Sequence, residues 1–272
     1  MSKKSRVVFG GLISLLAVVV YASTTVDILP TSDGTYTQWT TSTGSSHFAL
    51  VDESSCNGTT DYNFTTTVGG RDSYGVSLSA VPNGAQITQI SITPCASRNS
   101  NGGGSSTMNV FYRLDGVDSS DAGAYSLTGT TPTQLSATSF SGLSKIKTSS
   151  TALQSGAIFS SGTKGARLSR IATVITYTTL GAPSNLVATA NSSSQIDLAW
   201  TDNSTFEDNF VIERKDVTAS TTFITIATTT ASVVSYSDTG LSASNTYSYR
   251  LRAHNVGGYS SYSNTASATT NP

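Results

Sequence analysis

Apolar and polar residues alternate along much of the chain with a period of two, the pattern of β-strands that bury one face. The clearest example is the stretch from Gln195 to Trp200, in which Ile196, Leu198 and Trp200 occupy every second position. After the amino-terminal apolar run, no stretch keeps the 3.6-residue period of an amphipathic helix. The pattern therefore predicts an all-β protein.

The carboxy-terminal third contains short alternating strands separated by turn signals. The pattern predicts seven strands in about 90 residues, which is the number in an immunoglobulin-like sandwich. Turn residues occur at Asp202–Ser204, Asp238–Gly240 and Asn255–Gly258. Six of the strand-forming runs are clear in the sequence: Leu186–Ala188, Ile196–Trp200, Phe210–Ile212, Phe223–Ile226, Val234–Tyr236 and Tyr247–Ala253.

Several spaced segments of this third resemble the fibronectin type III family. Trp200 is similar to the buried tryptophan of that family, and Leu241 with Tyr247 resembles its leucine and tyrosine corner. The resemblance implies a β-sandwich in which these residues pack the core. The family includes adhesion modules, spacers in secreted polysaccharide enzymes and receptor ectodomains, so the fold alone does not set the function. The matching segments are Pro183–Leu186, Ile196–Ser204, Phe210–Arg214 and Tyr247–Asn255.

The amino-terminal part shows the same strand pattern and predicts a jelly-roll-like β-sandwich of about 150 residues. Asp115-Gly116 is a tight-turn signal. The predicted strands are Phe48–Val51, Tyr74–Leu78, Gln86–Thr93, Met108–Leu114, Ala157–Phe159 and Leu168–Tyr177. The order of features loosely resembles jelly-roll domains of bacterial surface proteins, phage appendages and carbohydrate-binding modules. Those features are Trp39, Ala49–Glu53, Asp61–Tyr62, Asp72–Tyr74, Asn83–Ile87 and Tyr112–Gly116.

The first residues have the form of an export signal. Three basic residues within the first six precede the uncharged run Val7–Ala22, which ends in a small-x-Ala pattern. We expect cleavage after Ala22; the alternative is an uncleaved membrane anchor. The predicted division is 1–22 for the signal peptide or anchor, 23–179 for the jelly-roll-like sandwich, 180–183 for a linker and 184–272 for the fibronectin type III domain. This places the protein in the secreted fraction or at the cell surface.

Composition supports export and excludes several classes. Charged residues are only 11% of the chain, and Ser with Thr makes up about a third. Such a chain favours strands over a helical bundle or a doubly wound α/β enzyme. Removal of the three basic residues of the leader changes the net charge from −1 to −4, so a nucleic-acid partner is not expected.

Cys56 and Cys95 are the two cysteines of the chain, and both follow the export signal. Two thiols in one exported domain usually pair, so we predict a disulfide. A metal site would need further ligands, and His47 alone qualifies nearby. No metal ligand is therefore assigned.

The sequence offers little for catalysis. A triad would need a serine and an aspartate brought to His47, and no nucleophile elbow stands before a helix. Asp52 and Glu53 are adjacent, so on a strand they point to opposite faces, although Asp61 or Asp72 could partner either one. We therefore predict no catalytic residue, no enzymatic activity and no cofactor.

Two groups of acidic residues are candidates for a cation-binding site. Side chains of the amino-terminal part could supply oxygen ligands to a structural Ca²⁺, and the alternative is that these acids are exposed. A second acidic loop, in the carboxy-terminal domain, is interpreted as solvated rather than cation-binding. The first group is Asp33, Asp52, Glu53 and Asp61, and the second is Asp202, Glu207 and Asp208.

Tyr36, Trp39 and Tyr62 are candidate binding residues, because sugar rings stack on exposed aromatic faces. The alternative is that Trp39 seals one end of the core.

The sequence leaves two candidate functions. The first is a secreted or cell-surface binding or structural protein for adhesion or scaffolding, with a fibronectin type III spacer. The second is a carbohydrate-binding accessory module or a fragment of a polysaccharide-active enzyme. The expected partner is an extracellular or cell-surface molecule, with a glycan or a second copy of the chain among the candidates, and a membrane only if the leader is retained.

Overall fold

The computed structural model describes residues 24–56 and 61–272, and the predicted leader lies outside these ranges. Strands β1 to β13 form the amino-terminal part, which also contains a 3-10 helix at Phe48–Leu50. Those strands are β1 (Thr24–Ile28), β2 (Pro30–Thr37), β3 (Thr40–Thr41), β4 (Asn63–Thr65), β5 (Arg71–Val76), β6 (Gln86–Arg98), β7 (Ser106–Leu114), β8 (Val117–Asp118), β9 (Ala122–Leu127), β10 (Thr133–Gln134), β11 (Thr138–Ile146), β12 (Leu153–Gly162) and β13 (Ala166–Thr178).

Eight further strands form the carboxy-terminal part. They are β14 (Ser184–Ala190), β15 (Gln195–Thr201), β16 (Asn209–Asp216), β17 (Ile224–Thr228), β18 (Ser235–Thr239), β19 (Thr246–Asn255), β20 (Gly258–Tyr259) and β21 (Ala266–Thr269). The predicted all-β class is therefore confirmed. Within the two described ranges, no helix has both the length and the apolar character needed to cross a membrane.

Two antiparallel sheets make up the amino-terminal sandwich. One has seven strands in the order β10-β6-β13-β4-β3, with β1 on β13 and β11 on β6. The other has six in the order β2-β5-β12-β7-β8, with β9 on β7. The long pair β6–β13 places Ile90 opposite Ile175, and both are fully buried between the sheets. The two-sheet sandwich is thus confirmed, and its jelly-roll connectivity stays a prediction.

One predicted strand of this domain is wrong. The segment Phe48–Val51 forms the 3-10 helix instead, in which Leu50 N bonds to His47 O. The side chain of Asp33 accepts a hydrogen bond from Phe48 N at 2.7 Å and so holds the start of this turn. The apolar run was too short to distinguish a strand from a buried turn.

The predicted tight turn between β7 and β8 is present. Asp115 and Gly116 both have positive φ, 49° and 83°, and Leu114 pairs with Val117 across the turn. Positive φ at both central residues is the geometry of a two-residue hairpin, and Asp-Gly suits it because glycine carries no Cβ.

The carboxy-terminal sandwich packs a three-stranded sheet, β14-β15-β18, on a sheet with strand order β17-β16-β19-β20 and β21 on β19. Trp200 is 6% exposed and its ring meets Phe210 edge-on at 5.7 Å. Tyr247 OH accepts a hydrogen bond from Ser242 N at 3.1 Å, beside buried Leu241. The core packing implied by the sequence resemblance is therefore present in this sandwich.

Cys56 and Cys95 form the predicted disulfide, with a Cα–Cα distance of 5.6 Å and a sequence separation of 39. Cys95 is fully buried on β6, in the middle of the seven-stranded sheet. The bridge therefore fixes the segment after the 3-10 helix to the core sheet.

Candidate functional site

Trp39 does not present a stacking face. Its side chain is 3% exposed and belongs to the core of the amino-terminal sandwich. Its Nε1 donates a hydrogen bond to Gly70 O at 2.9 Å, which satisfies the indole in the interior. The exposed-aromatic prediction is therefore wrong for Trp39, and the alternative that it seals the core is correct.

Tyr36 and Tyr62 lie on different parts of the sandwich. Tyr36, on β2 of the six-stranded sheet, donates a hydrogen bond to Asp118 Oδ2 at 2.7 Å, which raises the pKa of its hydroxyl. Tyr62 lies beside β4 of the other sheet, and the Arg167 guanidinium covers its ring at 4.1 Å. The three aromatic residues predicted from the sequence therefore do not form one binding surface.

A buried polar cluster joins the 3-10 helix to β4 and β5. His47 Nδ1 lies 2.8 Å from Asp72 Oδ2, and Tyr74 OH donates to the same oxygen at 2.9 Å. Asn63 Nδ2 donates to His47 O at 2.8 Å and to Tyr74 OH at 3.1 Å. Sequence reasoning left the partner of His47 open, and the sheet register supplies Asp72.

The carboxylate of Asp72 is fully buried, and burial raises its pKa to about 6. Hydrogen bonds from His47 and Tyr74 oppose this rise because they stabilise the charged form. A paired aspartate and histidine are two parts of a hydrolytic triad. Here the hydroxyl of the cluster, on Tyr74, bonds to the aspartate, and its burial raises its pKa well above the ordinary value. This arrangement holds three segments together and leaves no activated nucleophile within the cluster.

The first acidic group, which comprises Asp33, Asp52, Glu53 and Asp61, is only partly brought together in the structure. Glu53 shares a hydrogen bond with Asp61, which raises the pKa of Glu53, whereas Asp52 is exposed. Asp33 is engaged with the 3-10 helix. Over residues 24–56 and 61–272, no three or more His, Cys, Asp or Glu side chains come together as a metal site would require.

The second acidic group comprises Asp202, Glu207 and Asp208, and it is not the fully solvated loop that the sequence predicted. Glu207 is 7% exposed and its Oε1 accepts a hydrogen bond from Ser232 N at 3.2 Å. Burial raises the pKa of Asp202, and the neighbouring Glu207 charge adds to the rise. Only Asp208 of the three is exposed. The solvated reading is therefore wrong for Glu207, because this side chain folds back onto the end of the sandwich.

The structure shows an arginine–tyrosine stack that sequence reasoning missed. Arg250 lies 3.8 Å from the Tyr262 ring centroid, and Arg252 lies 3.9 Å from that of Tyr259. Glu213 underlies the stack and accepts hydrogen bonds from Tyr262 OH at 2.7 Å and Arg250 Nε at 2.8 Å. Burial alone would raise the pKa of Glu213, but these bonds hold it below its ordinary value. The signal present in the sequence was that Arg250 and Arg252 alternate with buried residues on β19, so both arginines lie on its outer face.

The two sandwiches meet in a close backbone contact. Asn255, 1% exposed, donates a hydrogen bond from Nδ2 to Gly84 O at 2.9 Å. A Cβ on Gly257 would collide with Lys147 O and Gly84 N, so the turn after β19 approaches the other domain as only glycine allows. This contact is the domain junction. The boundary predicted at 180–183 stays a prediction, although apolar side chains form separate clusters on its two sides.

A cleft of about 420 Å³ opens beside the domain junction. It is lined by the turn at 82–85, by the connection between β13 and β14, and by residues 259–261. Its lining includes Asn83, Thr179, Leu180, Tyr259, Ser260 and Ser261, and none of its lining residues carries a charged side chain. Tyr259 is one of the lining residues and is 51% exposed, so the end of the arginine–tyrosine stack reaches this cleft.

The carboxy-terminal residues 181–269 match the family model of the fibronectin type III domain. A similar solved structure is an Fn3-like protein from Clostridium thermocellum, with 24% identity over 34% of this chain and 94% of that one, and a TM-score of 0.29. Another is a fibronectin type III domain of human collagen XX, with 23% identity over 34% and 93% of the two chains, and a TM-score of 0.30. None of the curated proteins matches the chain. The match to the family model identifies residues 181–269 as a fibronectin type III domain.

Proposed function

We propose that this protein acts outside the cell or at its surface as a non-catalytic binding or structural protein, in adhesion or in an extracellular scaffold. The domain junction carries the proposal. Asn255 and Gly257 hold the fibronectin type III domain against the turn at Gly84, so this domain serves as an oriented spacer for the amino-terminal sandwich. Interfaces between domains of one chain otherwise allow relative motion.

Two further observations support an extracellular setting. The Cys56–Cys95 bridge is of a kind that persists in oxidising compartments. Fibronectin type III domains are typical of extracellular binding and structural proteins. The leader predicted from the sequence fits the same setting, and intact mass of the exported protein should give a chain that begins at Ser23. A mass that retains Met1 would instead favour the membrane anchor.

The experiment that tests the proposal measures turnover and binding with the same purified protein. We expect no release of product from polysaccharide, peptide and ester substrates, with or without Ca²⁺, and retention of the protein on an insoluble extracellular polymer. Turnover that is lost on substitution of Asp52, Glu53, Asp61 or Asp72 would overturn the proposal in favour of a polysaccharide-active enzyme.

A further inference from the structure

We propose that the cleft beside the domain junction is a binding site for a neutral oligosaccharide. The inference rests on the proposed function, since it gives a ligand class to a non-catalytic binding protein. The proposed glycan site is therefore not at Tyr36, Trp39 and Tyr62, as the sequence suggested, but in a cleft to which both domains contribute residues. Its basis is the shape of the cleft, its uncharged lining and one fixed aromatic ring.

The cleft has the size and position of a ligand site. Its volume of about 420 Å³ lies within the range of about 300–1,000 Å³ that is usual for small-molecule sites, which often occur between domains. Both domains and the connection between them contribute lining residues, so the junction at Asn255 and Gly84 keeps the walls in place. A preformed site loses less free energy on binding than one that must first be ordered.

The lining chemistry suits hydroxyl groups rather than ions. Thr179 and Ser261 bring hydroxyl-bearing side chains and Asn83 brings a carboxamide, whereas the Ser260 hydroxyl already accepts from Ala253 N and donates to Ser261 O. Hydroxyl and amide groups both donate and accept hydrogen bonds, as a sugar requires. The cation Lys147 is not one of the lining residues, and the hydrogen bond that its Nζ donates to Asn83 Oδ1 at 2.5 Å orients the Asn83 carboxamide.

Tyr259 supplies the apolar platform. Its ring contacts the Arg252 guanidinium at 3.9 Å and the His254 ring at 4.5 Å, and these contacts fix its orientation. About half of the side chain nevertheless remains exposed at the cleft. A fixed aromatic ring beside hydroxyl and amide groups matches the two sides of a sugar, its C–H face and its hydroxyls.

The test is titration calorimetry of the full chain with four neutral hexasaccharides: cellohexaose, xylohexaose, mannohexaose and chitohexaose. A hexameric oligogalacturonate is the charged ligand for comparison. We expect at least one neutral hexasaccharide to bind, and Tyr259→Ala to weaken that binding by about tenfold, as expected when an aromatic platform is lost. Ser261→Trp, which adds bulk at the exposed rim, should block binding while the thermal melt stays unchanged.

Tyr62→Ala is the matched control, because Tyr62 also carries a stacked arginine but lies in the amino-terminal sandwich. It should leave the affinity unchanged. The inference is overturned if none of the neutral hexasaccharides binds, if the oligogalacturonate binds more tightly, or if Tyr62→Ala weakens binding and Tyr259→Ala does not. In each of these cases the non-catalytic function could still stand. Cleavage of a hexasaccharide would instead defeat the proposed function itself.

Discussion

Arg214 on β16 reaches across the carboxy-terminal sandwich to Asp238 on β18, and its Nη1 donates to both carboxylate oxygens, at 3.0 and 2.9 Å. These strands belong to different sheets. Asp238 is 4% exposed, and Tyr249 OH also donates to its Oδ2 at 2.9 Å. The ion pair therefore links the two sheets at a place where the carboxylate has little access to water.

Arg214→Met should destabilise the carboxy-terminal domain by about 3–5 kcal/mol, because it leaves a buried carboxylate with one remaining donor. Chemical unfolding of residues 181–272 would measure the loss. Adding Asp238→Asn to the variant removes the uncompensated charge and should recover part of the lost stability. If Arg214→Met alone unfolds like the parent, the pair contributes no net stability.

The buried Asp72 should make stability depend on pH. Its folded pKa of about 6 lies above the ordinary value of 3.8, so the folded state holds the proton more tightly than the unfolded state. The resulting stabilisation is fully present below pH 3.8 and is lost as the pH rises to about 6. The difference in pKa corresponds to a free energy on the order of 3 kcal/mol. His47, Tyr74 and Asp33 are the ionisable groups that act on this carboxyl.

Urea unfolding of the wild type at pH 4 and pH 7 checks this dependence. Asp72→Asn retains an acceptor for Tyr74 and should show a smaller fall in stability between the two values. Asp121→Asn removes an exposed aspartate, paired with Arg71, and is the control. Parallel curves for wild type and Asp72→Asn would place the pH dependence elsewhere.

The domain junction should loosen when its glycine gains a side chain. Gly257→Val places a β-branched side chain against Lys147 O and Gly84 N, so the turn must move away. We expect a larger radius of gyration by small-angle X-ray scattering and faster proteolysis between the domains. Val256→Ala is the matched control, because Val256 is 73% exposed in the same turn. Identical scattering from all three proteins would contradict a fixed junction.

The sequence predicted the elements that local pattern determines. The run Gln195–Trp200 alternates so regularly that its buried face follows directly, and the structure has β15 at Gln195–Thr201, one residue longer. The disulfide was predictable because an exported domain with two cysteines offers one pairing. Asp115-Gly116 identified its hairpin because the turn needs positive φ at both positions.

Features that depend on how distant strands meet could not be predicted. Asp72 joins His47 only because β5 passes beside the 3-10 helix, and nothing local to either residue indicates this. Asp238 belongs to a turn signal in the sequence, yet it lies within β18 and is buried by Arg214. Trp39 carries an aromatic ring suited to either a core or a binding face, and only tertiary packing selects the core.

Removing the Cys56–Cys95 bridge should destabilise the amino-terminal sandwich. A closed loop of 39 residues corresponds to about 3–4 kcal/mol in the chain-entropy description, because the bridge restricts the unfolded chain. The variant with both cysteines changed to serine should therefore unfold at lower urea concentration than the wild type. A reductant should shift the wild type to the same midpoint and leave the variant unaffected. Equal midpoints for wild type and variant without reductant would defeat the prediction.

Trp200→Ala should largely unfold the isolated domain of residues 181–272. Trp200 is 6% exposed on β15 and packs edge-on against Phe210 in the core. Replacing a core aromatic with alanine costs about 3–5 kcal/mol, a large part of the stability of a domain this small. Val187→Ala on β14 is the control, since Val187 is 55% exposed and should change little. Thermal melts followed by circular dichroism measure both variants. A cooperative melt of Trp200→Ala close to that of the parent would mean that this tryptophan does not anchor the packing of the two sheets.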